Sequence, residues 1–337
     1  MQNIAVVILN YNGKQFLSDF LPSVITHSQG ASIYVADNAS TDDSVPFLQN
    51  HYPSISLIQL PQNGGYAKGY NDALKQINAD YYVLLNSDVE VSENWLDPVI
   101  TLMESDASIA ACQPKIRAFH QKASFEYAGA AGGFIDYLGY PYCRGRMFDT
   151  LEEDLGQYND NQEVFWATGA CMFVKAPIFH ELGGFDEDFF AHMEEIDLCW
   201  RMKHKGYRVY TCGESTVYHV GGGTLHKSNP RKTFLNFRNG LAMLYKNHPD
   251  KGLVATILTR LILDGIAGVK FVLSGNIQDC IAILKAHFNF YGNISNWRNK
   301  RNAIIKTKAV SMIYPKSIVW EYFGKGKKKS SELKQIS

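Results

Sequence analysis

Four short apolar segments near the start of the chain constrain its fold more than any other feature. They occupy residues 4–9, 33–36, 55–60 and 81–85, and each runs into polar residues. The first is rich in β-branched residues, which predicts a strand buried on both faces, and the others predict strands as well. Residues 71–77 predict a helix. Strands that alternate with helices predict an α/β fold with a mostly parallel central sheet flanked by helices.

Polar side chains follow three of these predicted strands. Asp37, Asn63 and Asp88 each come just after an apolar segment. In open α/β sheets, ligands bind at the edge where the carboxyl ends of the strands meet. The chain has no Gly-x-Gly-x-x-Gly after the first strand and no Gly-x-x-x-x-Gly-Lys-[Ser/Thr]. A dinucleotide-binding fold and a P-loop nucleotide hydrolase are therefore both disfavoured.

Three carboxylates, Glu194, Glu195 and Asp197, stand within four residues and are surrounded by aromatic and apolar side chains. Like charges this close repel each other, and burying them costs several kcal/mol unless cations or hydrogen bonds compensate. In a helix Glu194 and Asp197 share a face, and Glu195 points elsewhere. One carboxylate is then free to act on a substrate while its neighbours are tied down.

Two side chains are candidates for binding a divalent cation. Asp88 ends an apolar strand, and His219 precedes three glycines that permit a mobile closing loop. A carboxylate and a neutral imidazole suit Mg²⁺ or Mn²⁺ bound to a diphosphate. Taken alone, Asp88 also suits a common turn, and a lone histidine such as His219 is more often structural or on the surface.

The segments after the second and third strands are candidates for binding a nucleotide. Asp37 and Asn38 have the groups to hydrogen-bond a base or ribose, although both also suit turns and caps. The glycine-rich residues 63–69 let the backbone approach a ligand closely. Within them Lys68 is either a positive charge near phosphate or a solvated surface lysine.

The middle of the chain has a looser pattern. Residues 117–162 predict irregular loops and hairpins that form a lid or an acceptor wall. Residues 164–175 predict a strand around 168–170, and residues 208–210 and 216–218 predict two short strands.

The charge distribution separates the C-terminus from the rest. Residues 298–337 hold eleven Lys/Arg against two Asp/Glu, whereas the preceding residues are acidic. Such a basic tail binds anionic lipid, binds nucleic acid, or is simply solvated. The six cysteines form no Cys-x-x-Cys pair, and the N-terminus does not resemble a signal peptide, so we expect a reducing cytoplasmic location.

The composition changes after residue 250, which predicts two parts, 1–248 and 249–337. Residues 252–273 are apolar except for a polar stripe that includes Thr256, Arg260 and Asp264. The charges in this segment argue against a membrane-spanning helix. An amphipathic helix on a bilayer, a helical hairpin that packs on the body, and a dimer contact all remain open.

Taken together, these motifs resemble the family 2 glycosyltransferases with the GT-A fold, over about residues 4–245. The resemblance covers an opening strand, a nucleotide-base motif, a glycine-rich loop, a metal-binding motif, an acceptor border and a catalytic acidic motif. Residues 237–239 are similar to a segment of rhamnosyltransferase-like members. The segments are 7–13, 35–42, 63–71, 84–88, 166–172, 194–198, His219 and 237–239.

The resemblance implies a nucleotide-sugar site that contains Mg²⁺ or Mn²⁺. Asp88 is the implied metal ligand, with Asn86 in place of the family's first aspartate, and His219 matches a histidine that binds metal in some members. The residues implied to contact the nucleotide sugar are Asn10, Tyr11, Asp37, Asn38, Asn63, Gly65, Lys68, Asn86, Trp166, Gly169 and Ala170.

The resemblance also implies the reaction. A sugar passes with inversion from a dTDP-, UDP- or GDP-linked donor to a hydroxyl of a glycan or lipid-linked glycan. Glu195 stands at the position of the catalytic base, and Glu194 or Asp197 orients it or binds the acceptor. We expect the protein at the inner face of the cell membrane and expect no nucleic-acid partner. Two alternatives are a sugar-phosphate nucleotidyltransferase and a non-catalytic glycan-binding module.

Overall fold

The computed structural model describes residues 2–221 and 229–333, which form a mixed α/β fold. The strands are β1 (Ile4–Asn10), β2 (Ala31–Asp37), β3 (Ser56–Gln59), β4 (Tyr81–Asn86), β5 (Val89–Val91), β6 (Ile109–Ala118), β7 (Gly133–Asp136), β8 (Pro141–Cys143), β9 (Arg146–Met147), β10 (Thr150–Leu151), β11 (Gln162–Val164), β12 (Cys171–Lys175), β13 (Arg208–His219) and β14 (Ile313–Tyr314). The helices are α1 (Lys14–His27), α2 (Ser44–His51), α3 (Gly65–Leu74), α4 (Asp97–Ser105), α5 (Ala176–Glu181), α6 (Glu194–His204), α7 (Pro230–Asn247), α8 (Leu253–Leu273), α9 (Ile277–Gly292) and α10 (Ile294–Ala303).

The central sheet has the strand order β11-β13-β6-β12-β4-β1-β2-β3, with β5 paired to β13. Strand β1 is parallel to β2 and β4, and β2 is parallel to β3. Within this sheet β5, β11 and β12 run antiparallel to their neighbours. Asn10 pairs with Asp37, and Leu9 pairs with Asn86, so three strands end together. The predicted mostly parallel sheet flanked by helices is confirmed.

The apolar strands are buried because helices cover both faces of the sheet. Val6 and Ile8 of β1 lie in a core with α1 and α4, whereas Ala5 and Val7 lie in a second core with α3 and α6. Removing a side chain of the size of valine or isoleucine from water contributes about 1.5–3 kcal/mol. Continuous apolar segments are therefore required at the centre of this sheet.

The glycine-rich loop predicted at 63–69 is in part helical, which corrects two boundaries. Helix α3 begins at Gly65 and ends at Leu74, whereas the sequence predicts a helix over residues 71–77. Gly65 has φ +79°, and a Cβ atom there would lie 2.4 Å from the carbonyl oxygen of Phe190. A glycine is thus required for the close approach of α3 to the segment before the acidic motif.

Two strand predictions also change. The strand expected at 164–175 is interrupted, because β11 ends at Val164 and β12 begins at Cys171. The two short strands expected at 208–210 and 216–218 form a single strand, β13, whose register against β6 shifts between Cys212 and Thr216.

The region predicted as loops and hairpins forms a second, smaller sheet with the order β10-β9-β8-β7-β14. Its outer strand β14 comes from the C-terminal part of the chain and pairs in parallel with β7. The predicted division at residue 248 falls between α7 and α8, and β14 attaches the C-terminal part to the body.

Helix α8 carries its polar stripe on the buried side. Thr256, Arg260 and Asp264 are buried, and Arg260 Nη1 donates to the carbonyl of Leu138 at 3.0 Å. Asp264 accepts a hydrogen bond from Tyr140 Oη at 2.8 Å. The opposite face exposes apolar side chains: Val254, Leu258, Leu261, Ile262, Ile266, Val269, Val272 and Leu273. No helix within residues 2–221 and 229–333 is long and apolar enough to cross a bilayer.

Candidate active site

The predicted nucleotide-binding residues at the ends of β1 and β2 form one hydrogen-bond network. Asn10 Nδ2 donates to Asp37 Oδ1 at 3.0 Å. Asn38 Nδ2 donates to Asn63 Oδ1 at 3.1 Å and to the carbonyl of Gly65 at 3.0 Å. Asn10, Asp37 and Asn38 are buried. The network therefore fixes the carboxylate of Asp37 and ties it to the start of α3.

Tyr11 and Lys68 have different surroundings at this edge. The Tyr11 side chain is 40% exposed, so its ring is accessible to a ligand. Lys68 Nζ lies 2.8 Å from Asp72 Oδ2 and 3.6 Å from Glu187 Oε2. The ammonium group is held by two carboxylates, and its place beside a phosphate stays a prediction.

His219 lies between two carboxylates. Its Nε2 atom is 3.1 Å from Asp88 Oδ1, and its Nδ1 atom is 3.1 Å from Glu126 Oε2. Burial disfavours the imidazolium form, but the two carboxylates outweigh burial and raise the pKa of His219 to about 10. Burial raises the pKa of Asp88 and of Glu126, and the imidazolium more than compensates and lowers both below their usual values.

This arrangement fits a divalent cation once the cation displaces the proton from His219 Nε2. Two adjacent ligands of an octahedral ion at 2.0–2.1 Å lie about 3 Å apart, close to the 3.1 Å between Asp88 Oδ1 and His219 Nε2. Glu126 contacts the other ring nitrogen, as carboxylates do behind metal-binding histidines. No group of three His, Cys, Asp or Glu side chains in the described part of the chain is arranged around a cation. Water and ligand oxygens would complete the shell, as is usual for Mg²⁺.

The backbone that leads into the acidic motif is strained. Phe190, His192 and Met193 have φ angles of 64°, 71° and 73°, a region that costs a non-glycine residue about 1–3 kcal/mol. The buried Asn239 donates from Nδ2 to three carbonyls of this segment at 2.9, 2.9 and 2.7 Å. Arg238 Nη2 donates to the carbonyl of Asp188 at 2.8 Å and shares the carbonyl of Phe189 with Asn239 at 3.1 Å. These contacts give the segment at 237–239 a structural role.

Glu194 and Glu195 begin helix α6, and one carboxylate oxygen of each is buried without a hydrogen-bond partner among the described residues. Burial raises the pKa of Glu195 to about 7, although backbone N–H groups at the helix N-terminus act in the opposite direction. Burial and the neighbouring carboxylates raise the pKa of Glu194 well above its usual value. Near neutral pH Glu195 is therefore poised to accept a proton.

Asp197 is fully occupied by other contacts. Its Oδ1 atom lies 2.9 Å from Lys246 Nζ and accepts a hydrogen bond from Asn247 Nδ2 at 2.8 Å. Its Oδ2 atom lies 2.9 Å from Arg201 Nε. Burial raises the pKa of Asp197, but these cations outweigh it and lower the value. The carboxylate anchors α6 to α7, and its predicted part in orienting Glu195 or binding the acceptor stays a prediction.

One wall joins the cation candidates to the acidic motif. The backbone N–H of Asn86 donates to the carbonyl of Ala170 at 3.0 Å, and Tyr66 Oη donates to the carbonyl of Gly169 at 2.7 Å. Burial, and then Tyr70, Glu194 and Glu195, raise the pKa of Tyr66. Asn86, whose Nδ2 atom lies 3.4 Å from His219 Nε2, is thus connected through the 169–170 backbone and Tyr66 to the acidic motif.

Trp166 lies in the core. Its side chain is only 4% exposed, and Nε1 donates to the carbonyl of Phe134 at 3.0 Å. The ring packs so closely on Gly133 that a Cβ atom there would lie 2.0 Å from it. The indole N–H is used by the carbonyl of Phe134, and contact of Trp166 with the nucleotide sugar stays a prediction.

Sequence reasoning missed two residues of this site. Glu126, which contacts His219, lies in a region without strand or helix periodicity. Asn239 was noted only through a resemblance, and its contacts with a segment 47–50 residues away leave no local pattern. A search for polar residues inside a helix with an apolar face would have found Asn239.

Comparison with known proteins identifies the family. The model of the family described as "Glycosyl transferase family 2" matches residues 5–183. A relative from Mycobacterium tuberculosis, N-acetylglucosaminyl-diphospho-decaprenol L-rhamnosyltransferase, is 25% identical over 238 residues, 66% of this chain and 77% of that protein.

Two solved structures share the fold. GalNAc-T7 with UDP, GalNAc and Mn²⁺ has a TM-score of 0.56 at 16% identity and covers 73% of this chain and 48% of its own. A mannosyltransferase from Pyrobaculum calidifontis, in complex with GDP-Man and Mn²⁺, has a TM-score of 0.52 at 14% identity and covers 91% of this chain and 86% of its own. The family match extends over more than half of the chain. The protein therefore belongs to glycosyl transferase family 2.

Proposed function

We propose that this protein is a metal-dependent inverting glycosyltransferase that moves a sugar from a nucleoside diphosphate to a hydroxyl of a lipid-linked glycan. One observation carries the proposal. Glu195 has a buried, unpartnered carboxylate oxygen and a pKa near 7, and it belongs to the wall that also carries Asn86. A general base works best when its pKa lies near the operating pH.

The donor end of the reaction uses the residues at the strand ends. Asp37, oriented by Asn10, accepts hydrogen bonds from the nucleoside, and the exposed ring of Tyr11 stacks on the base. Asp88 and His219 would hold a divalent cation, with Glu126 behind the imidazole. When bound, that ion supplies positive charge to the departing diphosphate.

The acceptor end depends on Glu195. The acceptor hydroxyl oxygen attacks the anomeric carbon, the bond from that carbon to the diphosphate oxygen breaks, and the leaving group departs with the electron pair. Glu195 takes the hydroxyl proton. Because the step is a single displacement, the anomeric configuration inverts. Asn239 and Arg238 hold the strained segment that sets the position of this carboxylate.

The Mycobacterium tuberculosis relative and residues 237–239 support the proposed sugar and acceptor. The Mycobacterium tuberculosis protein is named for rhamnosyl transfer to a glycan on a decaprenyl diphosphate. Residues 237–239 resemble those of rhamnosyltransferase-like members, and here they clamp the backbone before Glu195. A deoxyhexosyl donor and a lipid diphosphate-linked acceptor are the class that we propose.

Ligand-dependent stabilisation tests this function. We expect one sugar nucleotide among dTDP-, UDP- and GDP-linked donors to raise the melting temperature in the presence of Mn²⁺, because a ligand at a hundred times its Kd stabilises the folded state by about 2.7 kcal/mol. The same donor, given an acceptor, should release a nucleoside diphosphate. Release of pyrophosphate from a nucleoside triphosphate would identify a nucleotidyltransferase instead, and the absence of any turnover would leave only a binding module.

A location at the inner membrane face rests on the C-terminal helices. Ile262 and Ile266 of α8 are 65% and 61% exposed, and a basic tail follows. We expect the protein to float with vesicles that contain anionic lipid, and the variant Ile262→Asp/Ile266→Asp to lose most of this binding. Leu155→Asp, at a side chain 82% exposed elsewhere, is the matched control. Equal flotation of both variants would contradict the proposed surface.

A further inference from the structure

A cavity of about 410 Å³ lies between helices α7 and α9. Its volume falls within the range of small-molecule sites. Four apolar residues and two cationic residues contribute to its lining, beside Gln278: Pro230, Phe234, Ile281, Ala282, Arg231 and Lys285. A lining that combines apolar walls with two positive charges suits an amphiphilic anion.

The two cations of this cavity are not neutralised by carboxylates. Neither Arg231 nor Lys285 forms an ion pair within residues 2–221 and 229–333, although many other basic residues of the chain do. Asp279, on the same helix as Lys285, accepts a hydrogen bond from Thr233 Oγ1 at 2.6 Å instead. Two unpaired cations beside a cavity favour a ligand that carries more than one negative charge.

The cavity lies next to the catalytic segment. The guanidinium of Arg231 is 4.7 Å from the centre of the Phe190 ring. Phe190 belongs to the strained segment that leads into Glu194 and Glu195, and its carbonyl accepts a hydrogen bond from the N–H of Ala67 at 3.2 Å. A ligand in the cavity would thus approach the acidic motif from the side of α7.

The other end of the cavity continues into the exposed apolar surface. Ile281 lines the cavity and is 44% exposed, and Leu284 and Phe288 on the same helix are 55% and 77% exposed. Helix α9 packs on α8 where Cys280 meets Gly268, and α8 exposes apolar side chains of its own. A ligand with its charged end at Arg231 and Lys285 can therefore place its apolar end on α9.

From these observations we propose that the cavity binds the diphosphate and the first isoprenoid units of a lipid-linked acceptor. This inference rests on the proposed function, because it assigns the acceptor of the same reaction. The diphosphate lies between Arg231 and Lys285, the isoprenoid chain runs over Phe234 and Ile281, and the sugar extends past Phe190 towards Glu195.

Binding of farnesyl diphosphate to the full chain tests this inference. Titrations are performed in EDTA, so that a diphosphate cannot bind through a cation on Asp88 and His219, with farnesol and inorganic pyrophosphate as the two partial probes. We expect farnesyl diphosphate to bind at least tenfold more tightly than either. Arg231→Ala/Lys285→Ala should weaken that binding at least tenfold. The control Lys75→Ala/Lys205→Ala removes two surface charges from the body and should leave it unchanged.

Three outcomes would overturn the inference: unchanged binding of farnesyl diphosphate to the Arg231→Ala/Lys285→Ala variant, equal weakening in the control, or a loss of vesicle flotation without any change in probe binding. The last result would mean that Arg231 and Lys285 bind the membrane surface and not the diphosphate. Failure of the proposed function is separate, since it shows as an absence of donor stabilisation and turnover whatever the farnesyl diphosphate titration gives.

Discussion

Replacing Glu195 by glutamine is expected to lower kcat by a factor of about 10²–10⁴, the usual contribution of a general base. The side chain keeps its shape but can no longer take the acceptor proton. Donor binding should stay within a few-fold of the wild type, because the strand-end residues and the Asp88–His219 pair are untouched. Turnover assays with saturating donor, combined with donor titration, separate the two effects.

A matched control is Glu93→Gln, which changes an exposed glutamate far along the chain from the acidic motif and should leave kcat unchanged. A near-normal kcat in Glu195→Gln would reject the assignment of the base. An equal loss of donor affinity and turnover would instead indicate that the variant disturbs the donor site.

The pH dependence of kcat/KM provides a second test of Glu195 as the base. Because burial raises the pKa of Glu195 to about 7, the base is protonated and inactive below that pH, and kcat/KM should rise with pH and reach a plateau above about 7. Glu194→Gln keeps the size of a carboxyl group whose own pKa is raised by burial and by Glu195. It should retain much of the activity and leave the acid limb near pH 7, because burial, and not the charge of Glu194, raises the pKa of Glu195. An acid limb that moves to lower pH in this variant would show that the charge of Glu194 raises the pKa of Glu195 as well.

The parts of the site that depend on local pattern could be predicted from the sequence. Apolar segments that end in Asp37 and Asp88 establish both the strands and their ligand-binding edge, because burial on both faces and polar strand ends are properties of neighbouring residues. The acidic motif also carries its own signal. Three carboxylates among aromatic residues require compensation, and the structure provides it for Asp197 through Lys246 and Arg201.

The parts that depend on distant partners could not be predicted. Lys68 was expected at a phosphate, yet it pairs with Glu187, which lies more than a hundred residues away. Trp166 was expected at a ligand, yet Gly133 lets its ring pack into the core. Which side chain meets which across the fold is decided by topology, and a single sequence carries no record of those contacts.

Helix α8 shows the same limit in another form. The spacing of Thr256, Arg260 and Asp264 predicts a polar stripe, but it does not say which side of the helix meets the body. Here Tyr140 and the carbonyl of Leu138 satisfy the stripe inside the protein. The apolar face is exposed, whereas a surface helix of a globular protein usually buries its apolar face and exposes its polar face.

The second large effect is expected from Asp88→Asn, which keeps the size of a proposed cation ligand and removes its charge. Loss of a partner behind a metal ligand typically costs 10–100-fold in affinity, so loss of the ligand itself should weaken Mn²⁺ binding by about 100-fold or more. Direct titration of Mn²⁺ by calorimetry measures this without recourse to activity. Turnover at a fixed, low Mn²⁺ concentration should fall in parallel.

A second site variant and a control variant allow losses of Mn²⁺ affinity to be ranked. Glu126→Gln keeps Asp88 and His219 but weakens the acceptor behind the imidazole, so its loss of Mn²⁺ affinity should lie between that of Asp88→Asn and the wild type. Asp19→Asn, at an exposed position of α1, should bind Mn²⁺ normally. Because both site variants remove a carboxylate from a buried imidazolium, melting temperatures must accompany the titrations. Wild-type Mn²⁺ affinity in a folded Asp88→Asn protein would show that the cation does not bind at this site. Cation binding would then not explain why Asp88, His219 and Glu126 lie together.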